Sequence, residues 1–164
     1  MKSFNWTSFT QKIPVRVNIE TMYDAWTKAE EIEKWFVKHS KYFDLYKILI
    51  PTDANIKKDF TYEWTWYAYD DIEHGKFTEA NGKDHIQFTF AGECFVDINL
   101  KEEKEYTIVE LTQSNIPTDE KSKQSIRLGC ASGWAFFLVN LKSVYESGHD
   151  LRNKNHDLKG MLNN

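Results

Sequence analysis

Residues 118–148, TDEKSKQSIRLGCASGWAFFLVNLKSVYESG, decide the fold of this 164-residue chain. Apolar side chains recur in this stretch at steps of three or four, which places them on one face of an α-helix. Thr118 can cap the start of that helix, and Gly148 stands where a glycine commonly ends one. Such a helix would extend roughly 45 Å. Its apolar face consists of Ile126, Cys130, Trp134, Phe137, Leu141, Val144 and Tyr145.

The chain before that helix alternates between apolar and polar residues, as half-buried strands do. The clearest strand covers residues 60–67, where aromatic residues occupy every second position. Asn81-Gly82 is a favoured turn between two strands of a hairpin. Strands joined in succession by such turns indicate an antiparallel meander. Further strands are predicted at residues 9–17, 72–79, 85–91, 93–100 and 106–113.

Two short helices are expected between the first strand and the meander. Asn18 can cap the first of them. Residues 27–30, TKAE, have the spacing of a capping box and would open the second. The elements together predict one α+β domain over residues 1–164, in which a long C-terminal helix lies across one antiparallel sheet. The polar tail after about residue 152 is expected to fray.

Composition excludes several classes of partner. The net charge is −4 and acids and bases are interleaved, so the chain lacks the basic stripe of a nucleic-acid-binding protein. No apolar run approaches the ~18 residues that a membrane span needs. The amino terminus has no apolar segment typical of a signal peptide, which favours a cytoplasmic location. Cys94 and Cys130 fall in apolar patterns and are expected to be reduced, with a disulfide between them left open.

No arrangement of residues indicates catalysis, a cofactor or a metal. The five histidines are spread over separate elements and lack the spacing of metal ligands. There is no nucleophile elbow and no glycine loop of the kind that cradles phosphate. Glu63, Asp97 and Glu110 could act as acids or bases if buried, but their neighbours are the apolar residues, so each is expected on the outer face of its strand.

Three stretches resemble one known family. Residues 23–27, YDAWT, followed by Trp35-Phe36, look like the opening of START-like (SRPBCC) proteins. Residues 62–66, YEWTW, leading into Gly75-Lys76-Phe77, resemble the central strands of that superfamily. Residues 133–144, GWAFFLVNLKSV, are similar to its C-terminal helix. Their order across nearly the whole chain resembles the branch named after the activator of the heat-shock-protein-90 ATPase.

The resemblance implies a helix-grip fold, in which a sheet of six or seven strands curls around the long helix and often encloses an apolar cavity. Members of the superfamily bind lipids, sterols, polyketides or hormones, and a few catalyse cyclisation or hydrolysis. The co-chaperone that gives the branch its name carries a separate N-terminal domain that stimulates the ATPase. Only a short segment precedes the first strand predicted here, so the chaperone function is expected to transfer poorly.

The aromatic side chains are the best candidate site, because large rings of fixed shape pack more easily around a cavity than into a void-free interior. A filled core is the alternative for each of them. Gly133 and Gly129 either allow close packing or thin the helix so that a ligand can enter. The residues predicted to line the cavity are Trp35, Tyr62, Trp64, Trp66, Phe88, Phe90, Gly133, Trp134, Phe137 and Leu141.

The resulting hypothesis is that the chain binds a small hydrophobic or aromatic molecule between the sheet and the C-terminal helix, without transforming it. A chaperone-linked protein-interaction module is the first alternative. A cyclase-like or hydrolase-like enzyme that uses Glu63 or a tyrosine is the second. A homodimer through the back of the helix is also considered, because apolar residues lie opposite the main face; these are Leu128, Ala131, Ala135, Leu138 and Val139.

Overall fold

The computed structural model describes residues 3–164 and shows seven strands, with two short helices between the first and second strands and a long helical region after the last. The strands are β1 (Phe9–Val15), β2 (His39–Phe43), β3 (Thr61–Thr65), β4 (Glu73–Ala80), β5 (His85–Phe90), β6 (Cys94–Glu103) and β7 (Tyr106–Ser114). The helices are α1 (Ile19–Thr27), α2 (Ala29–Ile32), α3 (Glu120–Ser122) and α4 (Gly129–Ser147), with a π-helical segment (Lys123–Leu128) between the last two.

All seven strands belong to one antiparallel sheet in the order β1-β7-β6-β5-β4-β3-β2. The run from β2 to β7 is therefore a simple meander. β1 pairs with β7 and forms one edge of the sheet. Burial alternates along β3 and β7, so one face of the sheet is packed and the other is more open to solvent. The predicted α+β helix-grip fold, with seven strands, is confirmed.

The helix termini follow capping chemistry, although two of the predicted caps are wrong. Asn18 caps α1 as predicted, since its side-chain oxygen accepts the N–H of Thr21 at 2.7 Å. Thr27 does not open the second helix; it is the buried last residue of α1, and its hydroxyl donates to the carbonyl of Tyr23 at 2.7 Å. Asp119 rather than Thr118 caps the C-terminal helix, by accepting the N–H of Ser122.

The long C-terminal helix is continuous in residues 120–147 but not uniform. The π-helical segment follows α3 directly and precedes α4. At its end the N–H of Gly129 donates to the carbonyl of Gln124, five residues back. The regular α-helix then runs for 19 residues and ends at Gly148, whose φ of 71° is left-handed as predicted for a terminating glycine. A period of 3.6 residues alone could not reveal the wider turn.

The predicted apolar face of this helix is confirmed. Trp134, Phe137 and Leu141 are buried against the sheet, and the other four residues of that face pack beside them. Leu138 is a correction: it is only 3% exposed and belongs to the core, not to the outer side of the helix. The large exposed apolar residues of the outer side are Leu128 and Val139. Within residues 3–164, no helix is both long enough and apolar enough to span a membrane.

The end of α4 is fastened to the chain after α2 by buried polar groups. The amide nitrogen of Asn140 donates to the carbonyl of Trp35 at 2.7 Å, and its oxygen accepts the N–H of Leu151 at 2.7 Å. Arg152 donates to the carbonyls of Val37 and Glu33, each at 2.8 Å. Asn140 and Arg152 thus close the interface between α4 and α2, because each satisfies backbone groups that burial would otherwise leave without a partner.

Replacing Asn140 with alanine is expected to lower the free energy of unfolding by about 2–3 kcal/mol, because the groups that pair with its amide lose that partner on burial. Val139→Ala, which alters a half-exposed neighbour, is the matched control and should change stability by less than about 1 kcal/mol. Urea denaturation measures both. Equal, small effects would show that Asn140 does not fasten the helix.

Asp150 is expected to stabilise the fold in a pH-dependent way. Burial opposes ionisation of its carboxyl, but hydrogen bonds from Arg152 and Lys154 outweigh burial and hold its pKa well below the ordinary 3.8. A carboxyl with a lower pKa in the folded state stabilises the fold above its unfolded-state pKa, and this contribution fades as the pH falls towards the folded-state value.

Asp150→Asn should therefore lower the free energy of unfolding at pH 7, and the difference from wild type should shrink between about pH 4 and pH 2. Urea titrations at a series of pH values give this comparison. A difference that stays constant over the whole series would show that ionisation of Asp150 contributes nothing to stability.

Candidate functional site

A cavity of about 380 Å³ opens between the sheet and α4. It lies at the end of the sheet where β3 ends, β4 begins and β5 ends. Because these strands are antiparallel, the three positions meet at the same end of the sheet. The size falls within the range of small-molecule sites. The cavity is lined by Phe36, Trp66, Tyr69, Glu73, Phe90, Ser125, Gly129, Cys130, Gly133, Trp134, Phe137 and Asn164.

The structure divides the ten residues that the sequence suggested for the cavity into two groups. Five of them line it: Trp66, Phe90, Gly133, Trp134 and Phe137. The other five are buried in the core and do not line it: Trp35, Tyr62, Trp64, Phe88 and Leu141. In the core group, rings fill the space between one another, as Tyr62 stacks on Trp64 with centroids 3.7 Å apart.

Aromatic rings packed at fixed angles form one wall of the cavity. Phe36 stacks on Trp134 with a centroid distance of 4.8 Å. It forms T-shaped contacts with Phe137 and Trp66, at centroid distances of 4.9 Å and 5.6 Å. Phe90 lies 5.3 Å from Trp134 on the sheet side. These rings hold one another in place, so the wall is formed before any ligand arrives.

Two glycines of α4, Gly129 and Gly133, also line the cavity. A Cβ atom added at Gly133 would meet no neighbouring atom within 4 Å, so close packing does not explain this residue. Gly133 instead leaves open space beside the rings of Trp134 and Phe137. One turn earlier, Gly129 follows the π-helical segment, and Ser125 within that segment lines the mouth. π-Helical turns occur often at functional sites, which fits this position.

Glu73 supplies the only side-chain carboxylate among the described residues that line the cavity. It is the register partner of Trp64 across β3 and β4, and residues directly opposite in a sheet share a face. Its Oε1 accepts the N–H of Ala91 at 2.9 Å, which fixes the side chain at the rim. Among the described residues, none of the cavity-lining side chains is a lysine, arginine or histidine.

Cys130 lies in the cavity wall as an unreactive thiol near neutral pH. Burial raises its pKa to about 11, and the negative charge of Glu73 acts in the same direction. The thiolate is the nucleophilic form of cysteine, so this thiol is poorly suited to covalent catalysis. Burial also raises the pKa of Cys94. Both cysteines are free thiols, as the sequence predicted.

The carboxylates that the sequence offered for an enzymatic role lie elsewhere. Glu63, Asp97 and Glu110 project from the outer face of the sheet, as expected from strand alternation. The Glu63 carboxylate is 3.9 Å from the imidazole of His74 and is not among the residues that line the cavity. Within residues 3–164, no group of three or more His, Cys, Asp or Glu side chains is placed to hold a metal ion.

Sequence reasoning missed Phe36, Tyr69, Glu73, Ser125, Cys130 and Asn164 as lining residues. Helical spacing could have found Cys130, since it precedes Trp134 by one turn on the apolar face. Glu73 could be found only from its register with Trp64, which depends on which residues of β3 and β4 pair. Asn164 reaches the cavity through the path of the chain beyond α4, for which the sequence carries no periodic signal.

Solved structures of low sequence identity share this fold. Protein SSP2350 from Staphylococcus saprophyticus has a TM-score of 0.69 at 20% identity, covering 88% of this chain and 96% of its own. The Aha1 dimer from Colwellia psychrerythraea gives 0.67 at 19% identity, with 86% and 97% covered. Protein NE0264 from Nitrosomonas europaea gives 0.68 at 14% identity, with 89% and 98% covered.

No curated protein matches the sequence. A family model does: "Activator of Hsp90 ATPase homolog 1-like protein" matches residues 16–146, from the end of β1 almost to the end of α4. The matched region includes the aromatic strands, both glycines of the cavity and the helix that crosses the sheet. The chain therefore belongs to the family of proteins like activator of Hsp90 ATPase homologue 1, within the START-like superfamily.

Proposed function

We propose that this protein binds a small, largely apolar molecule with an aromatic ring in the cavity between the sheet and α4, and does not transform it. The observation that carries the proposal is Gly133. Glycine within a helix costs about 1 kcal/mol relative to alanine, and nothing packs against this one closely enough to require it. A side chain at this position would instead enter the aromatic cavity.

The chemistry of the lining favours binding over catalysis. The rings of Phe36, Trp66 and Trp134 offer flat apolar contact that a ligand ring can match. The thiol of Cys130 is held in its protonated form, and Glu73 is tied to the backbone of Ala91. Few polar groups beside a preformed apolar wall are typical of sites that select a ligand by shape and by one or two polar contacts.

A chaperone-linked interaction module is the second candidate function, and an apolar turn between β2 and β3 favours it. Leu45, Tyr46, Ile48 and Leu49 are between 56% and 82% exposed. The turn is ordered, because Asp44 Oδ1 accepts the N–H groups of Tyr46 at 2.8 Å and Ile48 at 2.9 Å. Ordered, exposed apolar clusters commonly mark surfaces that bind other proteins.

We further propose that two copies of the chain pair through the outer side of the long helix. Leu128 and Val139 are 48% and 51% exposed there, eleven positions apart and thus on one side of the helix. A structural relative, the Aha1 protein from Colwellia psychrerythraea, is described as a dimer.

If this pairing is correct, light scattering at high micromolar concentration should give twice the 19.4 kDa mass of one chain. Val139→Lys should return the protein to one chain, because it would place a charge in the apolar contact. A monomeric wild type at that concentration would refute the pairing.

Gly133→Leu is expected to abolish binding of a neutral ring probe, 2-(1-naphthyl)ethanol, measured by isothermal titration calorimetry. The added side chain would occupy the cavity while leaving the fold intact, since the site is open and leucine is the better helix former. Ser132→Leu adds the same bulk at an exposed neighbouring position and is the matched control.

Equal affinity of both variants and wild type for the probe would place its binding outside the cavity. Native mass spectrometry of the protein from its own host supplies the independent readout. A co-purified hydrophobic species supports the proposal. A bare protein mass, together with no binding of the probe by wild type, would reject ligand binding and favour the interaction module.

A further inference from the structure

We infer that the cavity selects an aromatic ligand that carries a positively charged nitrogen, an arylalkyl amine in chemical class. This inference rests on the proposed ligand-binding function and adds the charge of the ligand to it. It follows from three features of the lining: one fixed carboxylate, a set of aromatic faces and the composition of the remaining side chains.

The carboxylate of Glu73 is held at the cavity without a positive partner. One oxygen accepts the N–H of Ala91, and within residues 3–164 the side chain forms no ion pair. Glu73 does not move freely, because its backbone lies in β4, paired with Trp64 of β3. An ammonium group that entered the cavity would supply the missing counter-charge and form a charge-assisted hydrogen bond.

The aromatic faces, like the carboxylate of Glu73, favour a positively charged group in the cavity. The face of an aromatic ring carries partial negative charge, so rings that surround a space attract cations into it. Sets of such rings bind alkylammonium groups in many proteins. The rings at this cavity belong to Phe36, Trp66, Tyr69, Phe90, Trp134 and Phe137.

No described side chain of the lining opposes this potential, since lysine, arginine and histidine are absent from it. The cationic side chains that flank Ser125 in sequence have other partners: Lys123 pairs with Glu120 at 2.7 Å, and Arg127 donates to the backbone of Asn5. Burial raises the pKa of the Cys130 thiol in the same lining, and the negative charge of Glu73 acts in the same direction. A carboxylate ligand, such as a fatty acid, would meet repulsion from Glu73 and no compensating cation.

The experiment compares three probes that share one ring system and differ in charge. They are 2-(1-naphthyl)ethylamine, 2-(1-naphthyl)ethanol and 1-naphthylacetate, titrated calorimetrically at pH 7 and low salt. Wild type should bind the amine about tenfold more tightly than the alcohol, as one charge-assisted hydrogen bond would give. The acetate should bind more weakly than the alcohol.

Glu73→Gln should reduce the preference for the amine over the alcohol from about tenfold to about one, because the uncharged amide offers the ammonium no counter-charge. Glutamine retains an oxygen that can accept the N–H of Ala91, so the variant should keep the fold, which a thermal melt checks. Glu102→Gln, at an exposed position on β6, is the control for the loss of one negative charge and should behave as wild type.

The outcomes separate this inference from the function on which it rests. Equal binding of amine and alcohol by wild type, or an amine preference that survives Glu73→Gln, overturns the inference. If the alcohol still binds and Gly133→Leu still blocks it, ligand binding itself stands. If none of the three probes binds, the inference fails, and a bare mass of the protein from its own host then rejects the proposed function as well.

Discussion

The indole of Trp134 is the contact on which the rest of the structure depends. Its ring lies 4.8 Å from Phe36, after α2, and 5.3 Å from Phe90 at the end of β5. Its Nε1–H donates to Gln113 of β7 at 3.0 Å, inside the core. One side chain therefore joins the long helix to the chain after α2 and to two separate strands. A buried indole needs both apolar contacts and a partner for its N–H, and Trp134 has both where the helix meets the sheet.

Trp134 also separates the densely packed C-terminal half of α4 from the N-terminal half, which borders the cavity. Towards the C-terminal end of α4, Leu141 is buried and Asn140 is satisfied by three hydrogen bonds, so that half of the helix is fixed. Towards the N-terminal end, Gly133, Gly129 and the π-helical segment interrupt regular packing. A helix gives up stability at glycine and at π turns, and proteins tolerate such local cost mainly at functional sites. The fixed C-terminal half of α4 thus holds the aromatic wall in place beside the open space at the N-terminal half.

The sequence predicted the fold well and the site less well, for different physical reasons. Periods of two and of three to four residues depend on burial alone, so β3 and the face of α4 were visible in the sequence. Membership of the cavity depends on the curvature of the sheet and on register. Trp64 and Trp66 belong to the same alternating pattern, yet Trp64 is buried in the core and Trp66 reaches the cavity beyond the end of β3. Alternation assigns both to one face and cannot tell which part of that face is covered.

The shared backbone of this family leaves the side chains around Glu73 free to differ. The fold is shared by proteins that are 14–20% identical to this chain, so the fold alone does not specify a ligand. Under the proposed function, specificity comes from the side chains at the end of the sheet where three strand ends meet. There the carboxylate of Glu73 lies opposite Trp64, beside a lining that combines aromatic rings with glycine, serine, cysteine and asparagine. A charge that no neighbour neutralises is costly beside an apolar wall, and a ligand that removes this cost gains affinity from it.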